Sequence, residues 1–464
     1  MKTRTLKLLL TSLLLAAVHN PAFAQGLTFT TNALNLANGS GPTFIAITDV
    51  NDDGKLDLIT ANNNNNNLTI LTNSGGGTFV VSAALDVGNS PQSIVAADLN
   101  GNGKVELVSA NNGDGTLTVF TNSDTGGFGF NTLLDAFGSP RCLVAADIYG
   151  RGKLDLITVN SGPFPDFTGT LTVLTNNGNG VFGSNTVLNV DGSPNAVVAS
   201  DINGDGKLDL ISANSGSFPD SIGTLNVLTN NGLGLFVFDE TITVETIDGS
   251  SGPVSLNASD INGDGQTDLI TANSDSSTVT VYTNTGHGNF ALSTMVAVGS
   301  SPNFVATRDL NGDGRPDLVT VNFGNSTLTI LTNAGAGKFG ANATLAGGLN
   351  PSCIRIADLN GDGKPDLATS INGEDKLKVF LNGSTFPTAS SQPALSTKRN
   401  GNLIHVTWPA ASPGWSLQQS ANVLKPQPWL PSGYDGYEIT DSGTNKSLTL
   451  PVTGDSKFFK LYHP

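Results

Sequence analysis

A ten-residue acidic segment that recurs seven times along the chain constrains the fold more than any other feature of the sequence. It has the form DINGDGKLDL at Asp201, and its seven copies begin at Asp49, Asp98, Asp147, Asp201, Asp260, Asp309 and Asp358. Successive copies start 49, 49, 54, 59, 49 and 49 residues apart. Periods of this length indicate a propeller or another array of small repeated units.

Each repeat contains the pattern of four short strands. The third alternates apolar residues with Thr, as in TLTVF from Thr116 and TLTIL from Thr327, which is typical of a strand with two different faces. In the first repeat the predicted strands are Phe44–Thr48, Leu56–Thr60, Leu68–Thr72 and Thr78–Leu85. Four strands in about 50 residues match a propeller blade. A parallel β-helix is the alternative, but its coils are much shorter than these units.

The seventh repeat lacks a fourth strand of its own. Its last clear strand is Lys376–Leu381, whereas the segment from Gly26 to Leu36 resembles the fourth strand of the first repeat, from Gly77 to Leu85. A ring must close, because an open last sheet would present an unpaired edge. We therefore predict an all-β fold, a seven-bladed β-propeller over residues 25–384 whose last blade is completed by the N-terminal strand.

Oxygen-bearing side chains stand at positions 1, 3, 5 and 9 of the acidic segment, with Gly at position 6 and a backbone carbonyl available at position 7. Calcium takes six to eight oxygens in flexible geometry, and side chains that alternate around a Gly turn can supply them. A plain hairpin turn also favours Asn, Asp and Gly, but it does not require three carboxylates, which repel one another without a cation. The opening resembles an EF-hand, although position 12 holds no Glu and strands flank the loop.

Five loops keep Asp at positions 1, 5 and 9, and they are the predicted calcium sites. Their predicted ligands are Asp49, Asn51, Asp53, Lys55 and Asp57; Asp201, Asn203, Asp205, Lys207 and Asp209; Asp260, Asn262, Asp264, Gln266 and Asp268; Asp309, Asn311, Asp313, Arg315 and Asp317; and Asp358, Asn360, Asp362, Lys364 and Asp366.

Two loops depart from this pattern. The second carries Asp98, Asn100, Asn102 and Glu106, which costs one negative charge and predicts a weak site. In the third, Tyr149 and Arg151 replace two donors, so we expect a guanidinium in place of the cation. The sequence therefore predicts about five structural Ca²⁺ ions.

The repeated DxNxDGxxDL segments resemble those of the FG-GAP/VCBS repeat family, known from integrin α-subunit propellers and from many secreted bacterial proteins. The resemblance covers roughly residues 26–382. It implies seven blades and a calcium ion in each intact loop, between the first and second strands of a blade. It leaves function open, because the family includes adhesins, lectins and accessory domains of polysaccharide lyases.

The two ends of the chain differ from the repeats. A basic start, an apolar run from Leu8 to Val18 and the sequence Ala22-Phe23-Ala24 predict a signal peptide over residues 1–24, cleaved near Ala24. The apolar run is too short to span a bilayer, and no later segment is long enough. We therefore expect a secreted protein, located extracellularly, at the cell surface or in the periplasm.

Residues 385–394 form a predicted Pro/Ser/Thr linker, followed by a small β-sandwich over residues 395–464. All three Trp residues lie in this tail, which resembles the fibronectin-type sandwiches of secreted proteins from environmental bacteria. Its aromatic residues could stack on sugars, but small sandwiches also need large aromatics in their core. Sorting or surface attachment is a further alternative for the tail.

Composition narrows the choice of function. A formal charge of −16 disfavours nucleic acid and anionic lipid, and His287 is the one histidine among residues 25–384, which argues against a serine triad or a histidine metal centre there. We therefore predict a monomeric protein that is not an enzyme and acts as an adhesion module binding an unknown glycan or extracellular protein. A polysaccharide lyase or hydrolase that uses paired carboxylates, or a structural spacer, is the alternative.

Enlarged loops in the third and fourth repeats place Phe164, Phe167 and Phe218 on one sector of the face opposite the acidic loops. They form a possible ligand rim, since exposed apolar side chains often mark binding sites, or they pack beneath their own loops.

The two cysteines, Cys142 and Cys353, occupy equivalent positions five residues before acidic loops in blades three and seven. These blades lie nearly opposite each other in a seven-membered ring, so we expect both thiols to be unpaired despite export.

Overall fold

The computed structural model describes residues 27–123, 127–162, 169–216, 222–245 and 252–384, together with seven short strands of the tail. The predicted all-β fold is confirmed. Seven four-stranded antiparallel sheets form the blades of a propeller, and each sheet runs from an inner first strand to an outer fourth strand. Among the described residues the one helical segment is a 3-10 turn, Asn372–Glu374.

The first strand in the chain, β1 (Phe29–Asn35), precedes blade 1. Blades 1 to 3 comprise β2 (Pro42–Thr48), β3 (Asp57–Asn62), β4 (Asn67–Gly75) and β5 (Thr78–Asp86); β6 (Pro91–Ala97), β7 (Glu106–Asn111), β8 (Thr116–Asn122) and β9 (Phe128–Asp135); and β10 (Ser139–Ala146), β11 (Asp155–Ser161), β12 (Gly169–Asn176) and β13 (Phe182–Val190).

Blades 4 to 6 comprise β14 (Ser193–Ser200), β15 (Asp209–Ser215), β16 (Thr224–Asn230) and β17 (Phe236–Thr243); β18 (Pro253–Ser259), β19 (Asp268–Asn273), β20 (Thr278–Asn284) and β21 (Phe290–Ala297); and β22 (Pro302–Arg308), β23 (Asp317–Asn322), β24 (Thr327–Asn333) and β25 (Phe339–Ala346). Blade 7 comprises β26 (Pro351–Ala357), β27 (Asp366–Ile371), β28 (Lys376–Asn382) and β1.

Burial explains why these segments are strands. The second strand of a blade, such as β3, is buried along its whole length, because its two faces pack against the two neighbouring blades. One apolar cluster joins Ile59 and Leu68 of blade 1 to Ile94, Leu107 and Phe120 of blade 2. Apolar runs without strict alternation are what such doubly covered strands require. The core is therefore divided among the interfaces between blades.

The ring closes as the sequence predicts. Strand β1 pairs antiparallel with β28, from Phe29 opposite Asn382 to Asn35 opposite Lys376. Asp375, in the turn before β28, accepts hydrogen bonds from the backbone N–H groups of Gly39 (2.7 Å) and Gly41 (2.9 Å). The two ends of the propeller are thus held by a strand pair and by one carboxylate.

The described residues of the tail form seven strands in a four-stranded and a three-stranded sheet. They are β29 (Ser396–Asn400), β30 (Leu403–Pro409), β31 (Ser416–Ser420), β32 (Leu430–Pro431), β33 (Ile439–Asp441), β34 (Asn445–Pro451) and β35 (Phe458–Tyr462). The sandwich itself stays a prediction, and the predicted signal peptide and linker lie outside the described residues. Within the described ranges, no helix combines the length and the apolar character that a membrane span needs.

Candidate metal loops and central channel

All seven acidic loops connect the first and second strands of their blades. Because the strands of a blade alternate in direction, the seven loops lie on the same face of the ring. The position-9 acid begins the second strand each time, as Asp209 does for β15. Position 9 is therefore anchored in a buried strand, whereas positions 3 to 7 form a half-exposed to exposed loop and the apolar residue at position 2 is buried.

Backbone amides hold the side chains of positions 1 and 3. In the fourth loop Asp201 Oδ1 accepts from the N–H groups of Gly204 (2.8 Å) and Asp205 (3.2 Å), and Oδ2 accepts from Gly206 (2.8 Å). The Asp205 N–H also donates to Asn203 Oδ1 at 2.9 Å. Two side-chain oxygens thus face one amide, and the loops that begin at Asp49, Asp98, Asp260, Asp309 and Asp358 repeat this arrangement.

Position 5 interacts with position 7 and is exposed in four of the five intact loops, whereas Asp313 is half-buried and desolvation raises its pKa. Asp205 Oδ1 accepts the Lys207 N–H, and its Oδ2 forms an ion pair with Lys207 Nζ at 3.0 Å. The lysine side-chain hydrogen bond lowers the pKa of Asp205, and Lys55 has the same effect on the pKa of Asp53. Gly206 follows with φ +82°, a left-handed conformation that a side chain would strain.

The position-9 carboxylate is buried and links three segments. Asp209 Oδ1 accepts from the Asn230 N–H at 2.8 Å, and Oδ2 accepts from the Ile202 N–H at 3.3 Å. The Asn230 side chain donates to Leu208 O (3.0 Å) and to Ile148 O of the preceding blade (2.8 Å). Each blade is thus joined to its neighbour through an asparagine that the position-9 acid orients.

Burial has the largest effect on the pKa of the position-9 carboxyl group. Desolvation raises the pKa of Asp317 to about 7, against two backbone hydrogen bonds that lower it, and Asp313 and Asp309 add like-charge repulsion. Desolvation likewise raises the pKa of the other position-9 acids, Asp57, Glu106, Asp155, Asp209, Asp268 and Asp366. These carboxylates are the groups that a nearby cation would stabilise most.

The third loop contains its own cation, as expected from the sequence. Arg151 Nη2 lies 3.0 Å from Asp155 Oδ1, and the Arg151 guanidinium stacks on the Tyr149 ring at 4.4 Å. The second loop keeps its shape without a carboxylate at position 5, because Glu106 accepts from the Leu99 N–H and from Asn100 Nδ2, each at 2.8 Å.

The donor chemistry of the five intact loops fits calcium, since every side-chain ligand that they offer at positions 1, 3, 5 and 9 is an oxygen. In the part of the chain that the structure describes, however, no three Asp, Glu, His or Cys side chains converge closely enough to hold a metal ion. The reason is that position 9 points into the blade towards backbone amides, whereas position 5 turns towards its neighbour at position 7.

The inner strands enclose a channel along the ring axis. A cavity of about 620 Å³ opens on the face opposite the acidic loops, and a second of about 330 Å³ lies nearer those loops. Both are lined by Phe44, Arg355 and Ile356, so these residues mark the boundary between the two cavities. Cys142 also lines the larger cavity, and the structure pairs neither it nor the buried Cys353 in a disulfide.

Polar side chains join the blades around the mouth of this channel. Arg141 donates to Ser161 Oγ (2.5 Å) and to Asn195 Oδ1 (3.2 Å), and Asn195 Nδ2 donates to Ser215 Oγ (2.7 Å). Ser161 and Ser215 begin the two enlarged loops, whose Phe164, Phe167 and Phe218 lie outside the described residues. The two enlarged loops that carry the predicted ligand rim therefore begin at the mouth of the channel.

A sequence model described as an FG-GAP-like repeat matches six overlapping segments, residues 49–109, 98–158, 150–212, 201–271, 260–320 and 309–369. Together they span well over half of the chain. The chain belongs to the FG-GAP-like repeat family. No curated protein matches its sequence.

Solved structures that are similar to this FG-GAP propeller have little sequence identity to it. BBS1N in its mercury-soaked complex with ARL6DN is 13% identical over 75% of this chain and 96% of that chain, with a TM-score of 0.50. A functionally unknown protein from Desulfotomaculum acetoxidans is 12% identical over 68% and 93%, with a TM-score of 0.47. A candidate 6-phosphogluconolactonase from Bacteroides uniformis is 15% identical over 94% and 100%, with a TM-score of 0.47.

A buried asparagine at or near the end of the third strand of every FG-GAP blade was not predicted from the sequence. These residues are Asn73, Asn122, Asn176, Asn230, Asn284, Asn333 and Asn382, and all are buried. The signal was present, because six of the seven follow a Thr at the end of the alternating strand, and Asn382 follows Leu381. A buried amide that recurs at one position of a repeat predicts a hydrogen-bonded role.

Proposed function

We propose that this FG-GAP propeller is an exported binding module whose ring is stabilised by about five calcium ions. The observation that supports calcium most is the contrast between the third loop and the five intact loops. Where the donors at positions 3 and 5 are replaced, Arg151 places a positive charge on the position-9 carboxylate. Where the donors remain, four of the five loops have a lysine or arginine at position 7 that lies beside position 5, as Lys207 does beside Asp205, and the fifth has Gln266.

Calcium would supply the positive charge that Arg151 supplies in the third loop. The residues that would hold it are those at positions 1, 3, 5 and 9, with the carbonyl of position 7. Its effect would be electrostatic and structural, because it would relieve the repulsion that Asp53 and Asp49 exert on buried Asp57. The second loop, with Asn102 and Glu106, would bind more weakly.

The expected role is to bind an extracellular glycan or protein rather than to catalyse a reaction. His287 is exposed in a turn, and the carboxylates of the loops already accept hydrogen bonds from their own backbone. The similar BBS1N structure is a complex with ARL6DN, which favours the protein-binding alternative. Paired carboxylates of a polysaccharide lyase or hydrolase remain the enzymatic alternative, and a spacer the structural one.

A glycan array probed with the mature protein, with millimolar calcium and with a chelator, tests the binding role. We expect retention on a restricted set of glycans, weakened by the chelator because the loops help to order the ring. If no glycan is retained under either condition, a panel of extracellular proteins separates protein adhesion from a spacer. Release of shortened or unsaturated sugars from a bound polysaccharide would instead establish the enzymatic alternative.

A further inference from the structure

The boundary between the two channel cavities is built around an arginine. The Arg355 guanidinium carbon lies 4.3 Å from the ring centre of Phe44 and 4.6 Å from that of Phe304. The two rings meet edge to face with 6.2 Å between their centres. The rings hold the guanidinium by cation–π contact, and its Nη1 donates to Ile354 O at 3.1 Å. A cation is thus fixed in the channel with most of its donors unused.

The larger cavity is positively charged within a strongly acidic protein. Its lining includes Arg141 and Arg355 and neither aspartate nor glutamate, although the chain carries 38 acidic and 22 basic residues. Among the described residues no carboxylate lies within ion-pair distance of either arginine. Arg141 is partly exposed at the mouth of the cavity, where it contacts only the uncharged side chains of Ser161 and Asn195 among the described residues. An anion is the ligand that these two groups lack.

Uncharged polar groups in the same cavity favour a ligand that also has hydroxyl groups. Within the described part of the chain, the Gln92 amide makes no hydrogen bond, and Asn257 uses its Oδ1 for Thr307 but leaves its Nδ2 without an acceptor. The volume of about 620 Å³ lies within the range of small-molecule sites. Inorganic anions would leave most of this space and these amides without contacts.

We propose that the larger cavity binds a small polyhydroxylated carboxylate, such as a sugar acid, with Arg355 pairing with its carboxylate and Arg141 contacting its polar groups nearer the mouth. This site deepens the proposed binding role, because it names the chemical class of ligand and places it at the mouth from which the enlarged loops extend. Charge-assisted contacts from an oriented guanidinium favour a carboxylate over a hydroxyl at the same position. Calcium in the loops on the opposite face is not required for it.

Titration calorimetry of the mature protein with glucuronate and galacturonate, and with glucose as the uncharged analogue, tests this assignment. We expect at least one of the acids to bind and glucose to bind at least tenfold more weakly, because glucose cannot pair with the arginines. Arg141→Gln and Arg355→Gln should each weaken the acid about tenfold. Lys338→Gln removes an exposed positive charge outside the channel and should leave the affinity unchanged.

Arg355→Met removes the charge while its apolar side chain can still pack between Phe44 and Phe304, and it serves as the second variant if Arg355→Gln does not fold. The assignment is overturned if neither acid binds, if glucose binds equally well, or if Arg141→Gln together with either folded Arg355 variant leaves the affinity unchanged. A glycan array that stays positive for a folded Arg141→Gln variant, with no sugar acid bound by the native protein, would refute the channel site and retain the proposed function. An array that shows no binding, combined with arginine-dependent binding of a sugar acid, would refute the proposed glycan binding and retain the channel site.

Discussion

The buried asparagine at or near the end of the third strand of each blade has two structural roles. The backbone N–H of Asn333 donates to the Asp317 carboxylate at 2.9 Å. The Asn333 side chain donates to Ile261 O at 2.8 Å and to Pro316 O at 3.2 Å. Ile261 belongs to the acidic loop of the preceding blade, so one side chain connects two loops. The spacing of the loops around the ring therefore depends on these amides.

Replacing Asn333 with Ala should destabilise the propeller. The change leaves Ile261 O and Pro316 O without their donor in a buried site, which costs about 2–3 kcal/mol of the free energy of unfolding. Denaturant unfolding followed by circular dichroism measures this. Asn289→Ala is the control, since that exposed amide donates only to Gly286 O within its own turn and its loss should cost about 0.5 kcal/mol or less. Equal costs for both variants would remove the inter-blade role.

The two cysteines give a second prediction at this scale. Cys142 and Cys353 lie on β10 and β26, the inner strands of blades 3 and 7, and burial raises the pKa of both thiols. Alkylation reacts with the thiolate, so the native protein should label slowly, Cys353 most slowly of all. After denaturation without reductant, mass spectrometry should find two labels per chain. A protein that takes no label until it is reduced would contain a disulfide.

The residues of the acidic loops could be predicted from their spacing, but the direction of their side chains could not. Positions 1 to 5 repeat in alternation, and this pattern identifies them as a set. Position 9 also belongs to a strand whose two faces are buried, and only the packed blade shows that Asp209 faces the Asn230 amide. The interaction of Lys207 with Asp205 likewise depends on the side-chain conformation of one lysine, which no sequence pattern specifies.

Closure of the ring is the main question at the scale of elements. Strand β1 supplies the outer edge of blade 7, and Asp375 accepts the Gly39 and Gly41 amides. Asp114 occupies the equivalent turn of blade 2, where it accepts the Asn89 amide at 2.7 Å. Asp375 joins the two ends of the propeller, whereas Asp114 joins two segments that follow one another along the chain.

Asp375→Ala should therefore loosen β1, and Asp114→Ala should not. Loss of two charge-assisted hydrogen bonds lowers the local stability of the closure by about 2 kcal/mol, which makes the amides of residues 29–35 exchange with solvent about thirtyfold faster. Hydrogen–deuterium exchange followed by mass spectrometry measures this in both variants. Deleting Leu27 to Leu36 should cause aggregation, since the edge of β28 becomes exposed. Unchanged protection in Asp375→Ala would show that the strand pair alone closes the ring.

Strands were predictable to within a few residues from period and turn residues. The predicted third strand, Leu68–Thr72, extends in the structure to Asn67–Gly75, and the predicted second strand, Leu56–Thr60, is shifted to Asp57–Asn62. The second shift arises because Asp57 pairs with Thr48 at the start of the ladder, so an acidic residue opens a buried strand. The buried carboxylate is accommodated there because it accepts hydrogen bonds from the Val50 and Asn73 backbone N–H groups.

At the scale of the whole molecule, calcium binding and closure of the ring are both expected to stabilise the propeller. Five sites of the affinity typical of extracellular modules, about 0.1 mM, would each add about 1.4 kcal/mol at millimolar calcium, since the folded ring binds the ion and the unfolded chain does not. A chelator should then lower the melting temperature, and restoring calcium should raise it again. Magnesium at the same concentration should have a smaller effect, because it prefers a stricter octahedral site.

The number of calcium ions bound per chain tests the central proposal most directly. Titration calorimetry of the chelator-treated protein should give five sites, with at most one weaker addition from the second loop. Asp205→Asn should lower the number to four, whereas Asp239→Asn, which removes an exposed acid on β17, should leave it at five. One site or none in the native protein would contradict the proposal that these loops are calcium sites.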